Sequence, residues 1–169
     1  MTLRAPGAAY PALDLPQGDD DLAAFQAWLY NAIPLAGELG ITAMHWQGER
    51  LVWELAVAPS LNDKGTGFGG ALAAQTTLAG WCWLTLWLRR RGVARSVVIA
   101  ESSQRFLAPV TGDYRLECGP TEAQATASLS DYLRTRGKGR ITLTQTVDCG
   151  ATRCLEASGR YVVLPAAGS

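Results

Sequence analysis

The sequence has very little of the chemistry that metal sites and nucleophilic hydrolases use. It contains one histidine, His45, in 169 residues, and its four cysteines form no CxxC pair. Because structural zinc sites combine several cysteine and histidine ligands, no metal site is expected. Ser102 and Ser103 have no histidine within sequence reach, so a serine-hydrolase triad is disfavoured.

The sequence also has no excess of either positive or negative charge. Fifteen basic and fifteen acidic residues cancel, so there is no electrostatic basis for binding nucleic acid or an anionic membrane surface. The first residues lack the basic and then apolar pattern of a signal peptide. The default expectation is therefore a cytoplasmic protein with free thiols.

Glycine, by contrast, is concentrated just before the longest segment without charge. Gly65, Gly67, Gly69 and Gly70 precede Ala71–Leu88, which predicts a tight loop leading into a helix N-terminus. Three arginines and a glycine then follow, as is typical of a helix C-terminus. The helix is apolar on every side, so we expect the rest of the chain to wrap around it. A membrane anchor is the less favoured alternative, because the glycines and three polar residues lower the mean hydropathy.

The flanking sequence predicts an α+β fold. Residues 1–18 are predicted to be an irregular arm, and residues 19–169 a single domain. The domain begins with a helix, for which Asp19–Asp21 supply the N-cap and first-turn carboxylates. Pro34 ends this helix. A capping-box spacing predicts a short helix between the last two pairs of strands. Short extended runs predict strands at 41–46, 51–58, 96–107, 114–118, 141–147 and 154–164. In this order, an antiparallel sheet wraps around the long apolar helix.

The order of elements and five motifs resemble the hotdog fold and, within it, the thioesterase-like family found alone or behind an N-acetyltransferase domain. The resemblance covers about Leu35 to Leu164. The sequence contains no N-acetyltransferase part, so acetyl transfer is not implied. The motifs are Asn62-x-x-Gly65-Thr66-x-Phe68-Gly69-Gly70, Leu78-Ala-Gly80-Trp81, Phe106-Leu-x-Pro109-Val110, Gly137-Lys-Gly-Arg140-Ile141 and Gly159-Arg-Tyr161-Val162-Val163.

The resemblance implies a homodimer, or a dimer of dimers, that binds an acyl-CoA or acyl-carrier-protein thioester where one subunit's helix N-terminus meets its neighbour. No cofactor is implied beyond the coenzyme A or pantetheine of the substrate. The Gly70 and Ala71 N–H groups, at the positive end of the helix dipole, would hold the oxyanion. Phe68 and Gly69 would line the substrate-binding site. The alternative is that the glycines serve only a tight turn.

Two positions depart from the family's pattern. Many hotdog thioesterases carry an Asp or Glu about two turns into the helix and a His before the Gly-Gly pair; this chain has Thr77 and Phe68 there. Thr77 could position water but cannot act as a base at neutral pH. A hotdog dehydratase, which needs a His and an acid, is disfavoured.

Other side chains are candidates for assisting the attack of water. Asn62 matches the family's loop asparagine and would orient water or the carbonyl, or it is simply a turn residue. Asp63 is a candidate base or a solvated loop carboxylate. Strict alternation places Glu101 on the same strand face as apolar residues, where burial would raise its pKa toward that of a working base, unless it pairs with Arg105. Lys64 would contact the coenzyme A phosphates, or it is a surface charge.

These inferences predict a thioester hydrolase. The alternative from another class is a non-catalytic acyl-binding or scaffold module, because the usual helix acid is missing.

Overall fold

The computed structural model describes residues 4–18 and 21–166. Within them the helices and strands follow the predicted order, with two short 3-10 turns, Pro34–Glu38 and Ala58–Ser60, that the sequence pattern did not predict. The elements are α1 (Leu22–Ala32), β1 (Ile41–Gln47), β2 (Arg50–Leu55), α2 (Gly69–Arg89), β3 (Val97–Phe106), β4 (Tyr114–Pro120), α3 (Ala125–Arg136), β5 (Gly139–Cys149) and β6 (Thr152–Val163).

The six strands form one antiparallel sheet in the order β1-β2-β4-β5-β6-β3. The sheet wraps around α2, which contacts β2, β3, β4, β5 and β6. This arrangement confirms the predicted α+β hotdog fold. It also makes β3 an edge strand, although β3 follows α2 directly in the chain.

The apolar character of α2 is explained by burial of most of its surface, with the face of Leu78 and Trp81 partly exposed. Leu72, Trp83, Leu84 and Leu88 are among its buried residues, and each such side chain contributes up to about 1.5–3 kcal/mol on leaving water. Within the described residues, no helix is both long enough and apolar enough to cross a bilayer.

A glycine inside α2 lets the helix lie close to the last strand. A Cβ on Gly80 would overlap the ring of Tyr161, and a Cβ on Gly159 would lie 2.7 Å from that ring. The Tyr161 hydroxyl donates a hydrogen bond to the carbonyl of Thr77 at 2.9 Å. Two of the motifs noted in the sequence therefore form one helix–sheet contact.

A β-bulge in β3 overturns the predicted faces of that strand. Ile99 pairs with Tyr161 but Glu101 pairs with Arg160, so Ala100 is an additional residue and the alternation shifts by one. After the bulge, Ser102 faces α2 and Glu101 faces away from it. The expectation that Glu101 shares the apolar face of Val97 and Ile99 is wrong for this reason.

The helix α1 and the arm lie over the C-terminal half of α2. Asp21 holds the N-cap position of α1, but its side chain makes no capping bond. It forms a buried ion pair with Arg89 instead, and Arg89 also donates to the carbonyls of Leu13 and Asp14. The predicted capping role of Asp21 is therefore wrong, and Asp19 and Asp20 lie outside the described residues.

Candidate active site at the start of the central helix

The loop before α2 is held by backbone hydrogen bonds from both sides. The N–H of Phe68 donates to Ser60 at 2.6 Å, and the N–H of Gly67 donates to Val110 at 2.8 Å. A Cβ on Gly67 would lie 2.9 Å from the Cβ of Val110, so this position must be glycine for the two segments to approach. The loop thereby fixes where α2 begins.

Asn62 organises the loop. Its Oδ1 accepts hydrogen bonds from the N–H groups of Lys64 at 2.9 Å and Thr66 at 3.1 Å, and its Nδ2 donates to the Thr66 hydroxyl at 3.0 Å. The backbone turns at Gly65, where φ is +72°. Most of the hydrogen-bonding capacity of the Asn62 amide is used within this turn, which supports the structural role that the sequence left open.

Within residues 4–18 and 21–166, the first N–H groups of α2 have no hydrogen-bond acceptor. Leu72 N–H donates to Phe68 O at 3.0 Å, but the hydrogen bonds of the described residues include none from the N–H groups of Gly69, Gly70 or Ala71. The N-cap residue, Phe68, makes no side-chain capping bond. Three amides without an acceptor in the described part of the chain, at the positive end of a 21-residue helix, favour an anion or a polarised carbonyl oxygen.

Two phenyl rings flank these amides and remain largely in solvent. Phe68 is 55% exposed and Phe106 is 54% exposed. A Cβ on Gly70 would lie 2.6 Å from the Phe68 ring, and a Cβ on Gly69 would lie 3.4 Å from the Phe106 ring. The absence of side chains at both glycines therefore lets the rings and any ligand approach the backbone.

Thr77 lies in a row of polar side chains between α2 and β3. Its hydroxyl is 3.2 Å from the Ser102 hydroxyl, which also accepts a hydrogen bond from the Gln104 amide. The β3 bulge brings Ser102 and Gln104 to this face. Simple alternation along the strand also puts both residues on the same face as Phe106, but it gives no reason to connect them with Thr77.

The charged candidates are largely exposed, and each forms an ion pair. Asp63 and Lys64 form an ion pair at 2.9 Å, with side chains 79% and 74% exposed. The Glu101 side chain is 65% exposed and pairs with Arg160 at 3.1 Å rather than with Arg105, whose partner is Glu156. The burial that would have made Glu101 a base is therefore absent.

A buried network supports the first turns of α2. Gln75 donates to the carbonyl of Leu39 at 2.9 Å and accepts from the Tyr114 hydroxyl at 2.8 Å. Burial raises the pKa of the Tyr114 hydroxyl, the donor in this hydrogen bond. Sequence reasoning missed this network, and a glutamine within an otherwise apolar segment was the available signal.

Three of the four cysteines, among them Cys82 and Cys118, are buried in the core. Burial raises the pKa of Cys82, and it raises the pKa of Cys118 to about 12 from the ordinary value of 9.0. Both thiols are therefore neutral at physiological pH and are poor nucleophiles.

Comparison with known proteins agrees with this architecture. A structure from Chlorobaculum tepidum, of a protein of unknown function, has a TM-score of 0.76 and 23% identity over 85% of this chain and 93% of its own. One from Shewanella oneidensis, described as a putative thioesterase, has a TM-score of 0.73 and 23% identity over 85% and 97%. At these identities the likeness shows the hotdog fold.

The family is shown by the sequence model that matches the chain. The model described as "Putative thioesterase (yiiD_Cterm)" matches residues 22–165. The chain belongs to this family, and the resemblance stated from its motifs is confirmed.

Proposed function

We propose that the protein hydrolyses an acyl thioester at the start of α2. The carbonyl oxygen would accept hydrogen bonds from the N–H groups of Gly70 and Ala71, and these amides would stabilise the oxyanion that forms when water attacks. Hydrolysis then breaks the carbon–sulfur bond and releases a carboxylic acid and a thiol. The observation that carries this proposal is the unpaired amides at an open helix start in a thioesterase-family fold.

The side chains around these amides have distinct proposed roles. Phe68 and Gly69 line the acyl group, and Thr77 positions the attacking water. Asp63 is the carboxylate that we propose as the base, because it belongs to the loop leading into α2, whereas Glu101 lies on the far face of the sheet. Lys64 would meet the phosphates of coenzyme A, or the phosphopantetheine of a carrier protein.

The edge strand β3 supports a homodimer. Nine of its ten residues are not fully buried, and Val98, Ile99 and Phe106 are exposed large apolar side chains. An edge strand with such residues is a template for pairing with another chain. A second copy pairing along β3 would cover them and place its own residues beside Phe106, next to the helix start. A dimer of dimers would need a further interface.

The experiment that tests the amide role removes one N–H at a time. Proline is tolerated in the first helical turn, and Gly69, without a Cβ, is compatible with a proline after it. We expect Gly70→Pro to lower kcat for hydrolysis of acyl-CoA thioesters by about 100-fold or more, as for the loss of an oxyanion donor. The thiol released from short, long and aromatic acyl-CoAs is measured.

Gly69→Pro is the matched control, since it removes an amide outside the proposed pair. Because Gly69 contacts the acyl group, KM should rise in this variant, but kcat should stay within a few-fold of the original value, and thermal unfolding should show both variants folded. Full activity in Gly70→Pro would contradict the proposed oxyanion site. Asp63→Asn should lower kcat, while Glu101→Gln should leave it unchanged; the reverse result would reject Asp63 as the base.

A non-catalytic acyl-binding module is the second candidate function. Thr77 favours it, because a threonine occupies the position where many hotdog thioesterases have an acid. Saturable binding of acyl-CoA without any release of thiol would support the module and overturn the hydrolase.

A further inference from the structure

A cavity of about 340 Å³ lies beside the C-terminal half of α2, away from the helix start. It is open to solvent on one side and is bordered by the arm, α1, α2 and the segment 93–97. Its volume falls in the range of small-molecule sites. The lining residues that matter here are Tyr10, Trp28, Trp81, Thr85, Arg89 and Arg95.

Aromatic faces form the walls of this cavity. The rings of Trp28 and Trp81 are 11° from parallel with centroids 6.3 Å apart, and Tyr10 meets Trp28 edge to face at 6.4 Å. Trp28 donates its indole N–H to Pro11 O at 2.8 Å, and Trp81 donates to Val97 O at 2.9 Å. The polar edges of both indoles are therefore satisfied and their orientation is fixed.

The two guanidinium groups of the cavity differ in their partners. Arg89 is neutralised by the buried carboxylate of Asp21. Arg95 donates from Nε to the carbonyl of Leu164 at 3.1 Å and from Nη2 to the carbonyl of Gly137, and both acceptors are neutral. Among residues 4–18 and 21–166, no carboxylate forms an ion pair with Arg95. Its positive charge is thus available to an anion.

Thr85 adds an unused polar group to the wall. Its Oγ1 is buried and has no hydrogen-bond partner within the described part of the chain. A rotation about χ1 exchanges the positions of its methyl and hydroxyl groups, which would allow the hydroxyl to meet a polar atom of a guest.

We propose that this cavity binds a small aromatic monocarboxylate. The carboxylate would pair with Nη1 of Arg95, the guanidinium nitrogen that has no acceptor among the described residues, and the ring would pack against Trp28 and Trp81. With one cation that has no ion-pair partner and a largely apolar lining, the cavity favours a monoanion over a phosphate dianion, because the dianion costs more to desolvate. The site is separate from the proposed thioester site, so its test uses free acids.

The test compares 3-phenylpropionate, its neutral amide and hexanoate. Calorimetric titration of the full chain should show saturable binding of 3-phenylpropionate, at least about fivefold tighter than the amide or hexanoate. Arg95→Gln should remove the preference for the acid over the amide. Arg134→Gln, an exposed arginine of α3 paired with Asp131, is the matched control and should keep that preference.

Indole N–H signals in an ¹⁵N–¹H spectrum locate the site directly. The protein has six tryptophans, and the signals of Trp28 and Trp81, assigned through tryptophan-to-phenylalanine variants, should move most on titration. Equal affinity for acid and amide, a preference that survives Arg95→Gln, shifts centred on other tryptophans, or no saturable binding would each overturn the proposal. None of these outcomes depends on thioester hydrolysis.

Discussion

The two ends of α2 differ in almost every physical respect although they belong to one helix. The N-terminal end has unpaired amides, two glycines and two exposed phenyl rings. The C-terminal end is closed by Trp83 and Trp87, stacked at 6.3 Å, and by the buried pair of Arg89 and Asp21. The C-terminal end is anchored in the core, whereas the amides at the other end have no acceptor among the described residues.

The largest effect should follow from breaking the ion pair at the closed end. Arg89→Met leaves the Asp21 carboxylate buried without its partner, and we expect a loss of about 3–5 kcal/mol in the free energy of unfolding. Urea unfolding followed by tryptophan fluorescence measures it. Asp21→Asn combined with Arg89→Met should recover a large part of the loss, because the uncompensated charge is then gone. A double variant as unstable as the single one would show that the charge is not the cause.

Replacing either of two glycines of α2 with alanine should affect a different property of the protein, stability in one case and turnover in the other. Gly80→Ala places a methyl group in the Tyr161 ring and should cost about 1–3 kcal/mol from overpacking, despite the better helix propensity of alanine. Gly70→Ala meets only the exposed Phe68 ring, which can move, so stability should change little while thioester turnover falls. Thermal unfolding and the hydrolysis assay together measure both. Equal destabilisation by the two substitutions would remove the distinction between the two ends.

The core thiols should make the protein less stable in alkali. An unfolded chain loses the Cys118 proton near the ordinary pKa of 9.0, whereas the folded state keeps it until about 12. Deprotonation of the unfolded state therefore lowers stability as pH rises through this window, by up to about 1.4 kcal/mol per pH unit for one thiol. Cys118→Ala should flatten the slope between pH 9 and 11 in urea titrations. An unchanged slope would contradict this.

The smallest expected effect is a gain in stability. Thr85→Val replaces a buried, unpaired hydroxyl with a methyl group of similar shape and should stabilise the protein by about 1 kcal/mol. A rise in Tm confirms it. Thr76→Val is the control, because the Thr76 hydroxyl donates to the carbonyls of Leu72 and Ala73, and it should show no such gain.

Local sequence signals predicted the order of elements and the place where α2 begins. The glycines before α2 depend on backbone preferences of a few adjacent residues. The face of Glu101 could not be predicted, since alternation carries no mark of the bulge at Ala100. The contact between Ser102 and Thr77 depends on the same bulge and was missed for the same reason.

By itself, the sequence determined that a uniformly apolar helix must be wrapped by strands, because no face of it tolerates water, and that small residues precede it. The tertiary structure decided which charges meet. Asp21 and Arg89 are 68 positions apart in the sequence, and Glu101 forms an ion pair with Arg160 rather than with Arg105. Such pairings depend on strand register and helix packing, which no stretch of a few residues can encode.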